Sequence, residues 1–294
     1  MRPIGRLWLK KSRSQTVNRA FLSALGQSDL SRFTTTCKDC DVIFLIGSLP
    51  SRHNRALAQE IVSCVDAGAK LIYLFTMEDP ILSPKSTFFS RYEVGSEEGV
   101  LALLAKSFLA ESSLSEAYQT YFSTLDDGYV SAESNIGEEE IEEIETLCAG
   151  VKKGVLILGE DLFYHPRAEQ IARFAGLIAR HTPMKLQVSG STQHDWIVAE
   201  ETMVEEVEDI ASFDGVVVYE CPCIDAEEER FLIGSSQFQA AAKVQHDDAI
   251  HVVFDRETYP RVFIRDERLK GVIALLPLVK ANNAYPYHVT KIVK

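Results

Sequence analysis

The chain has 294 residues, 46% of them hydrophobic, with 30 Lys and Arg against 43 Asp and Glu and a net charge of −13. That is enough for a full core and sets a prior of two domains. So acidic a balance excludes nucleic acid as an expected partner, because phosphate binding needs Lys and Arg in excess.

Residues 1–27 run against that balance, with Arg2, Arg6, Lys10, Lys11, Arg13 and Arg19 and no acid. We read residues 1–30 as a basic, partly ordered arm rather than a transit peptide. A continuous apolar run at 41–47 predicts a strand covered on both faces. Residues 54–67 follow with helical spacing, Leu57, Ile61 and Val65 sharing a face and Gly68 as the stop signal. Another apolar run at 70–75 completes a strand–helix–strand unit, whose crossover is expected to be right-handed.

Further on, a turn at Val94-Gly-Ser96 leads into a helix over 97–110, with Val100, Leu103, Leu104 and Phe108 facing inward. A second helix is expected over 113–125. Residues 126–137 are polar and rich in turn formers, and are read as the boundary between two lobes. The acidic segment 138–149 carries an apolar stripe through Ile141, Ile144, Leu147 and Cys148, enough for an amphipathic helix. A strand at 154–159, a loop at 160–166 and a helix over 167–179 then repeat the strand–loop–helix pattern. Strands are expected at 185–188 and 215–219, with an acidic helix over 199–210 between them. Short β-rich runs at 249–254, 261–264 and 271–276, separated by polar turns, predict a small antiparallel element.

The expected fold is α/β, an open and mostly parallel sheet with helices on both faces, forming two Rossmann-like lobes plus a small C-terminal β element. The expected boundaries are 1–30 for the arm, 31–137 and 138–232 for the lobes, and 233–294 for the β-rich end. No apolar run is long enough to span a bilayer, so direct membrane insertion is not expected.

Candidate chemistry concentrates at the two strand ends. In doubly wound sheets, ligands bind beyond the carboxyl ends of the strands, where backbone N–H groups attract phosphate. Gly47, Ser48 and Arg52 lie at one such end, and Gly159 and Glu160 at the other. They are the cofactor-binding candidates, as working or vestigial loops, although neither a Walker loop nor a dinucleotide fingerprint is present. Cys37 and Cys40, with Cys221 and Cys223, offer four thiols for zinc or an iron–sulfur cluster. The second pair is spaced CxC and the first precedes a strand, so we read them as incidental thiols. Cys64 and Cys148 read as core residues, and the low cysteine density fits a reducing cytosol. His246, His251 and the His194-Asp195 pair form no hydrolase or metalloprotease motif and are read as surface and loop residues. No catalytic residue is assigned.

The order of these pieces resembles the molybdopterin oxidoreductase large-subunit family. The resemblance is carried by Phe33 to Gly47-Ser48 with the helix that follows, by Val94-Gly-Ser-Glu-Glu-Gly99, and by Gly154 to Glu160 through His165-Pro166. Gly234-Ser-Ser-Gln-Phe238 and Leu269-Lys-Gly-Val-Ile273 resemble the tail of the molybdopterin oxidoreductase-like subunit of NADH-quinone oxidoreductase, respiratory complex I, a cofactor-poor branch of that family. Leu49-Pro50 stands where molybdopterin binders carry Asn-Pro, and no molybdenum ligand stands in a recognisable context. The resemblance implies a structural or accessory module that is not catalytic alone, with no cofactor and with other subunits of a respiratory complex as partners. It further implies a cytoplasmic position peripheral to the inner membrane. The alternative it leaves open is a small enzyme holding molybdopterin or a nucleotide at the Gly47 and Gly159 loops.

Overall fold

A computed structural model describes residues 19–110, 112–191, 203–280 and 284–294. Five strands form the first sheet: β1 (Val42–Ile46), β2 (Lys70–Phe75), β3 (Phe88–Arg91), β4 (Gly154–Leu158) and β5 (Met184–Val188). Their order is β3-β2-β1-β4-β5 and every pairing is parallel. The chain therefore winds outward to one side from β1 and to the other from β4, which puts the topological switch point between these two central strands. The two strand–loop–helix passages lie in one sheet, with Val42 in register with Lys70 on one side and Gly154 on the other.

Every residue of β1 and β4 is buried, and their side chains alternate between two cores, as a period of two requires. Val42, Phe44 and Ile46 face a core shared with helices Glu97–Leu109 and Ala168–His181. Ile43 and Leu45 face the opposite core, made by helix Arg55–Asp66 and by residues of a second sheet. Helix Arg55–Asp66 starts where predicted, because the Asn54 side chain accepts from Leu57 N at 3.1 Å, an N-cap.

The second sheet contains β6 (Val217–Pro222), β7 (Phe231–Gly234), β8 (Ala249–Phe254), β9 (Glu257–Arg265), β10 (Ile273–Leu278), β11 (Tyr287–Val289) and β12 (Lys291–Val293). Its order is β11-β6-β10-β7-β9-β8-β12. It is larger than the small antiparallel element expected, and β6 with β10 and β7 with β9 run parallel. The strand expected at 215–219 belongs here, as β6, and not to the parallel sheet. Val217, Tyr219 and Cys221 of β6 pack against the parallel sheet, while Val218 faces a third core around Phe238 and Phe263.

Three further segments differ from expectation. Residues 126–137 contain a helix, Asp127–Ser134, capped by Asp126 and closed by Asn135 at φ 57°. It forms because Val130 is buried against Gly99, where a Cβ would lie 2.7 Å from Val130 Cγ1. A single buried apolar side chain leaves almost no periodicity to read. Residues 203–210 are not helical. Val204 is buried, but Glu205 N donates to Gln170 Oε1 at 2.9 Å, and Arg167 reaches Glu208 and the Glu206 carbonyl. These tethers hold the backbone in another conformation; the rest of that expected helix, 199–202, lies outside the described residues. A short helix, Asp161–Tyr164, occupies the loop expected after β4.

Residues 19–27 pack into the body, with Phe21, Leu22 and Leu25 buried. A Cβ on Gly176 would sit 1.9 Å from the Leu25 carbonyl oxygen, so only glycine permits this approach.

Candidate functional site: the closed switch-point crevice

The carboxyl ends of β1 and β4 bring Gly47, Ser48, Arg52, Gly159 and Glu160 into one region, but the region is filled by the chain itself. Gly47 adopts φ +71°, the left-handed region that turns the chain off the end of β1. Gly159 N donates to Ile46 O at 2.8 Å, and Asp161 N to Gly47 O at 3.1 Å. A Cβ on Gly159 would lie 2.0 Å from Gly47 O and 2.4 Å from Ser48 Cβ, so the two loops touch backbone to backbone.

Side chains close the seam. Ser48 Oγ donates to Glu160 Oε2 at 2.7 Å, Ser189 Oγ donates to Glu160 Oε1, and His53 Nδ1 stands 3.7 Å from Glu160 Oε2. Tyr73 OH donates to Ser48 O at 2.8 Å. Next to Glu160, Asp161 is 2% exposed and accepts from Tyr219 OH and Tyr287 OH, each at 3.0 Å. Both tyrosines come from the second sheet. Burial pushes the Asp161 carboxyl well above the ordinary aspartate range, and neighbouring Glu160 pushes the same way. Burial lowers the His53 imidazole, with Glu160 opposing. Thr76 Oγ1 lies 2.8 Å from Tyr287 OH and extends the network.

A second buried carboxyl, Glu97, lies further along the same joint. Tyr285 OH donates to Glu97 Oε1 at 2.7 Å, and His165 Nε2 is 3.4 Å from Glu97 Oε2. His165 Nδ1 accepts from Arg167 N at 3.0 Å, which leaves the ring proton on Nε2 facing Glu97 and the Gly95 carbonyl. Burial raises the Glu97 carboxyl and His165 opposes the rise.

An anionic cofactor fits this donor set poorly. The cation offered to a phosphate, Arg52, is already paired through Nη1 with both oxygens of Glu228, at 2.7 and 2.6 Å. The backbone N–H of Ser51 donates to Asp79 Oδ2 at 2.9 Å. The start of helix Arg55–Asp66 is taken by Asn54. These three donors are each occupied by a carboxylate or amide of the chain, and none is left to receive a phosphate.

The Arg52–Glu228 pair joins the β1 loop to the second sheet, with side chains 10% and 13% exposed. Arg52→Ala should cost about 3 kcal/mol, because it strands a nearly buried carboxylate. The Arg52→Ala/Glu228→Ala double variant should cost at least about 1 kcal/mol less than the sum of the two singles. Urea unfolding of the four proteins checks this, and strict additivity would remove the pair as a joint.

The cysteine pairs do not converge. Cys37 and Cys40 precede β1 at the amino edge of the parallel sheet, where Cys37 Sγ contacts Cys64 Sγ at 3.6 Å. Cys221 lies at the opposite edge, near Arg52 and Glu228. Among the described residues, no group of three or more His, Cys, Asp or Glu is placed to hold a metal. Among them too, no helix is long and apolar enough to cross a membrane. His246 Nδ1 accepts from Arg265 N in a surface turn, and His194 and Asp195 lie outside the described residues.

Asp161, His53, Tyr219, Tyr285, Tyr287, Asp79 and Glu97 were not among the sequence candidates. Two signals were available: an acid pair directly after β4, and Tyr285-Pro286-Tyr287, whose alternate positions share a face.

No family model and no curated protein matches the chain. Among solved structures it is loosely similar to acetylene hydratase from Pelobacter acetylenicus, at 12% identity and a TM-score of 0.45. The match covers 57% of this chain and 24% of that one. A likeness at that level carries no argument about activity.

Proposed function

We propose that the chain is a non-catalytic α/β module serving as a structural piece of a respiratory NADH-quinone oxidoreductase. On this reading the ligand crevice of a doubly wound ancestor has become an internal joint, and the outer faces of the module meet neighbouring subunits. The observation that carries it is the closed switch point, where Gly159 abuts Gly47 and the anion-binding donors are satisfied by Asp79, Glu228 and Asn54. The order of the sequence motifs supplies the particular assembly.

Affinity purification of the full chain from detergent-solubilised membranes of its source should recover other subunits of that oxidoreductase, identified by mass spectrometry. The purified chain should show no melting shift with GTP or with a pyranopterin dinucleotide. A saturable shift with either compound would overturn the closed-crevice reading and restore the ligand-binding enzyme. Absence of the other subunits would overturn the assembly.

A further inference from the structure

The CxxC motif does not serve the switch point, yet one of its cysteines has a partner that spacing could not reveal. Cys37 lies in the loop before β1 and Cys64 in the last turn of helix Arg55–Asp66, and their Sγ atoms are 3.6 Å apart. Cys64 Sγ also lies 3.4 Å from the Cys37 carbonyl oxygen. The loop is held in place because Glu60, one turn earlier on the helix, accepts from Cys37 N at 2.9 Å and from the Thr36 hydroxyl. The two thiols are thus fixed by a helix and by a loop tied to that helix. A disulfide needs the sulfurs to close to about 2.0 Å.

The two thiols differ in access. Cys37 is 0% exposed and Cys64 9%. Cys64 lines an open groove of about 740 Å³ at the amino edge of the parallel sheet, with Cys40, Glu60, Ser63 and Lys38. Cys37 is not among the residues lining it.

We infer that Cys37 and Cys64 form a dithiol site oxidised to a disulfide by small disulfides of the glutathione class, with Cys64 as the entry thiol and Cys37 as the resolving thiol. In the first step the Cys64 thiolate attacks one sulfur of R–S–S–R. The S–S bond breaks, the Cys64–S–S–R mixed disulfide forms, and R–S⁻ leaves and is protonated. In the second step the Cys37 sulfur attacks the Cys64 sulfur from within the core, the mixed disulfide breaks, and the second R–S⁻ leaves with the Cys37 proton. The net change is two protein thiols and one small disulfide to one protein disulfide and two small thiols, with two electrons leaving the protein. Burial raises the Cys37 thiol, with Cys64 and Glu60 pushing the same way, so the groove-facing partner leads. The inference does not depend on the proposed assembly.

Trypsin separates the three nearby cysteines, since it cuts after Lys38, Arg52, Arg55 and Lys70 and so leaves Cys37, Cys40 and Cys64 in different peptides. The reduced full-length protein would be incubated with oxidised glutathione, alkylated and digested. The expected product is residues 33–38 linked to residues 56–70, with both thiols lost together. Cys37→Ser should trap glutathione on Cys64 as a stable mixed disulfide, whereas Cys64→Ser should give no cross-link at Cys37. Cys40→Ser should leave the link unchanged, and circular dichroism confirms that each variant is folded. A link from residues 33–38 to residues 39–52, or retention of both thiols by the folded protein, would overturn the assignment.

Discussion

Gly159→Ala is expected to unfold the protein or drive it into the insoluble fraction. The added Cβ would stand 2.0 Å from Gly47 O and 2.2 Å from Gly47 C, both backbone atoms at the centre of the parallel sheet. Neither can move without breaking the Gly159 N–Ile46 O and Asp161 N–Gly47 O hydrogen bonds. A clash that no side-chain rotation relieves should cost about 4 kcal/mol or more, a large share of a domain's net stability. Gly154→Ala is the control. Its nearest neighbour is Met184 Cγ at 3.0 Å, on a flexible side chain, so the expected loss is about 1 kcal/mol. Soluble yield and urea midpoints of the two variants measure the difference, and a Gly159→Ala protein as stable as Gly154→Ala would mean that the loops are not in contact.

The same clash explains what kind of glycine Gly159 is. In a dinucleotide fold, a small residue after a central strand lets the backbone approach a pyrophosphate. Here it lets the backbone approach another loop. Both uses produce the same residue at the same strand end, which is why the sequence points to this place without distinguishing a cradle from a seam. What distinguishes them is charge. Arg52 is neutralised by Glu228, Ser51 N is taken by Asp79, and Asp161 is turned inward to two tyrosines.

Much of the parallel sheet was legible because its central strands are buried on both faces and read as unbroken apolar runs, as in β1, β2 and β4. Helix Arg55–Asp66 was legible from its spacing and the Gly68 stop signal, and Glu97–Leu109 from its spacing and the turn before it. The edge strand β3 was not, because its Phe-Phe-Ser-Arg run is short and only half-buried. Residues 203–210 misled for a different reason. Val204 and Val207 have helical spacing, but the conformation is decided by hydrogen bonds to Gln170 and Arg167, over thirty residues away. Gly47, Ser48, Arg52, Gly159 and Glu160 could be placed at the ends of β1 and β4 because strand ends can be located locally. Their partners could not be. Tyr219 and Tyr287 reach Asp161 across 58 and 126 residues from a sheet whose docking face no local pattern announces.

Asp161 should also leave a signature in the pH dependence of stability. Burial raises its carboxyl well above the ordinary aspartate range, and Glu160 adds to the rise. A carboxyl raised on folding binds its proton more tightly in the native state. Its contribution is complete below the unfolded value, about 4, and is lost as pH climbs towards the folded pKa. Asp161→Asn keeps the size and one acceptor oxygen but does not titrate, so unfolding free energy, variant minus parent, should rise with pH above about 4. His53 carries the opposite sign, since burial lowers its imidazole. Its contribution is present above about 6.5 and lost as pH falls. Glu97, raised by burial, has the same sign as Asp161. Both groups remain in the variant as in the parent, so the difference isolates Asp161. Asp161→Leu removes the acceptors as well, leaves the Tyr219 and Tyr287 hydroxyls without that partner, and should cost about 3 kcal/mol at the acid end, a deficit that narrows as pH rises and the parent loses the Asp161 contribution. Urea unfolding of the three proteins across a pH series upward from about 4.5 decides it. Parallel curves for parent and Asp161→Asn would mean that Asp161 is not buried in the joint, and the two sheets would then have to meet in some other way.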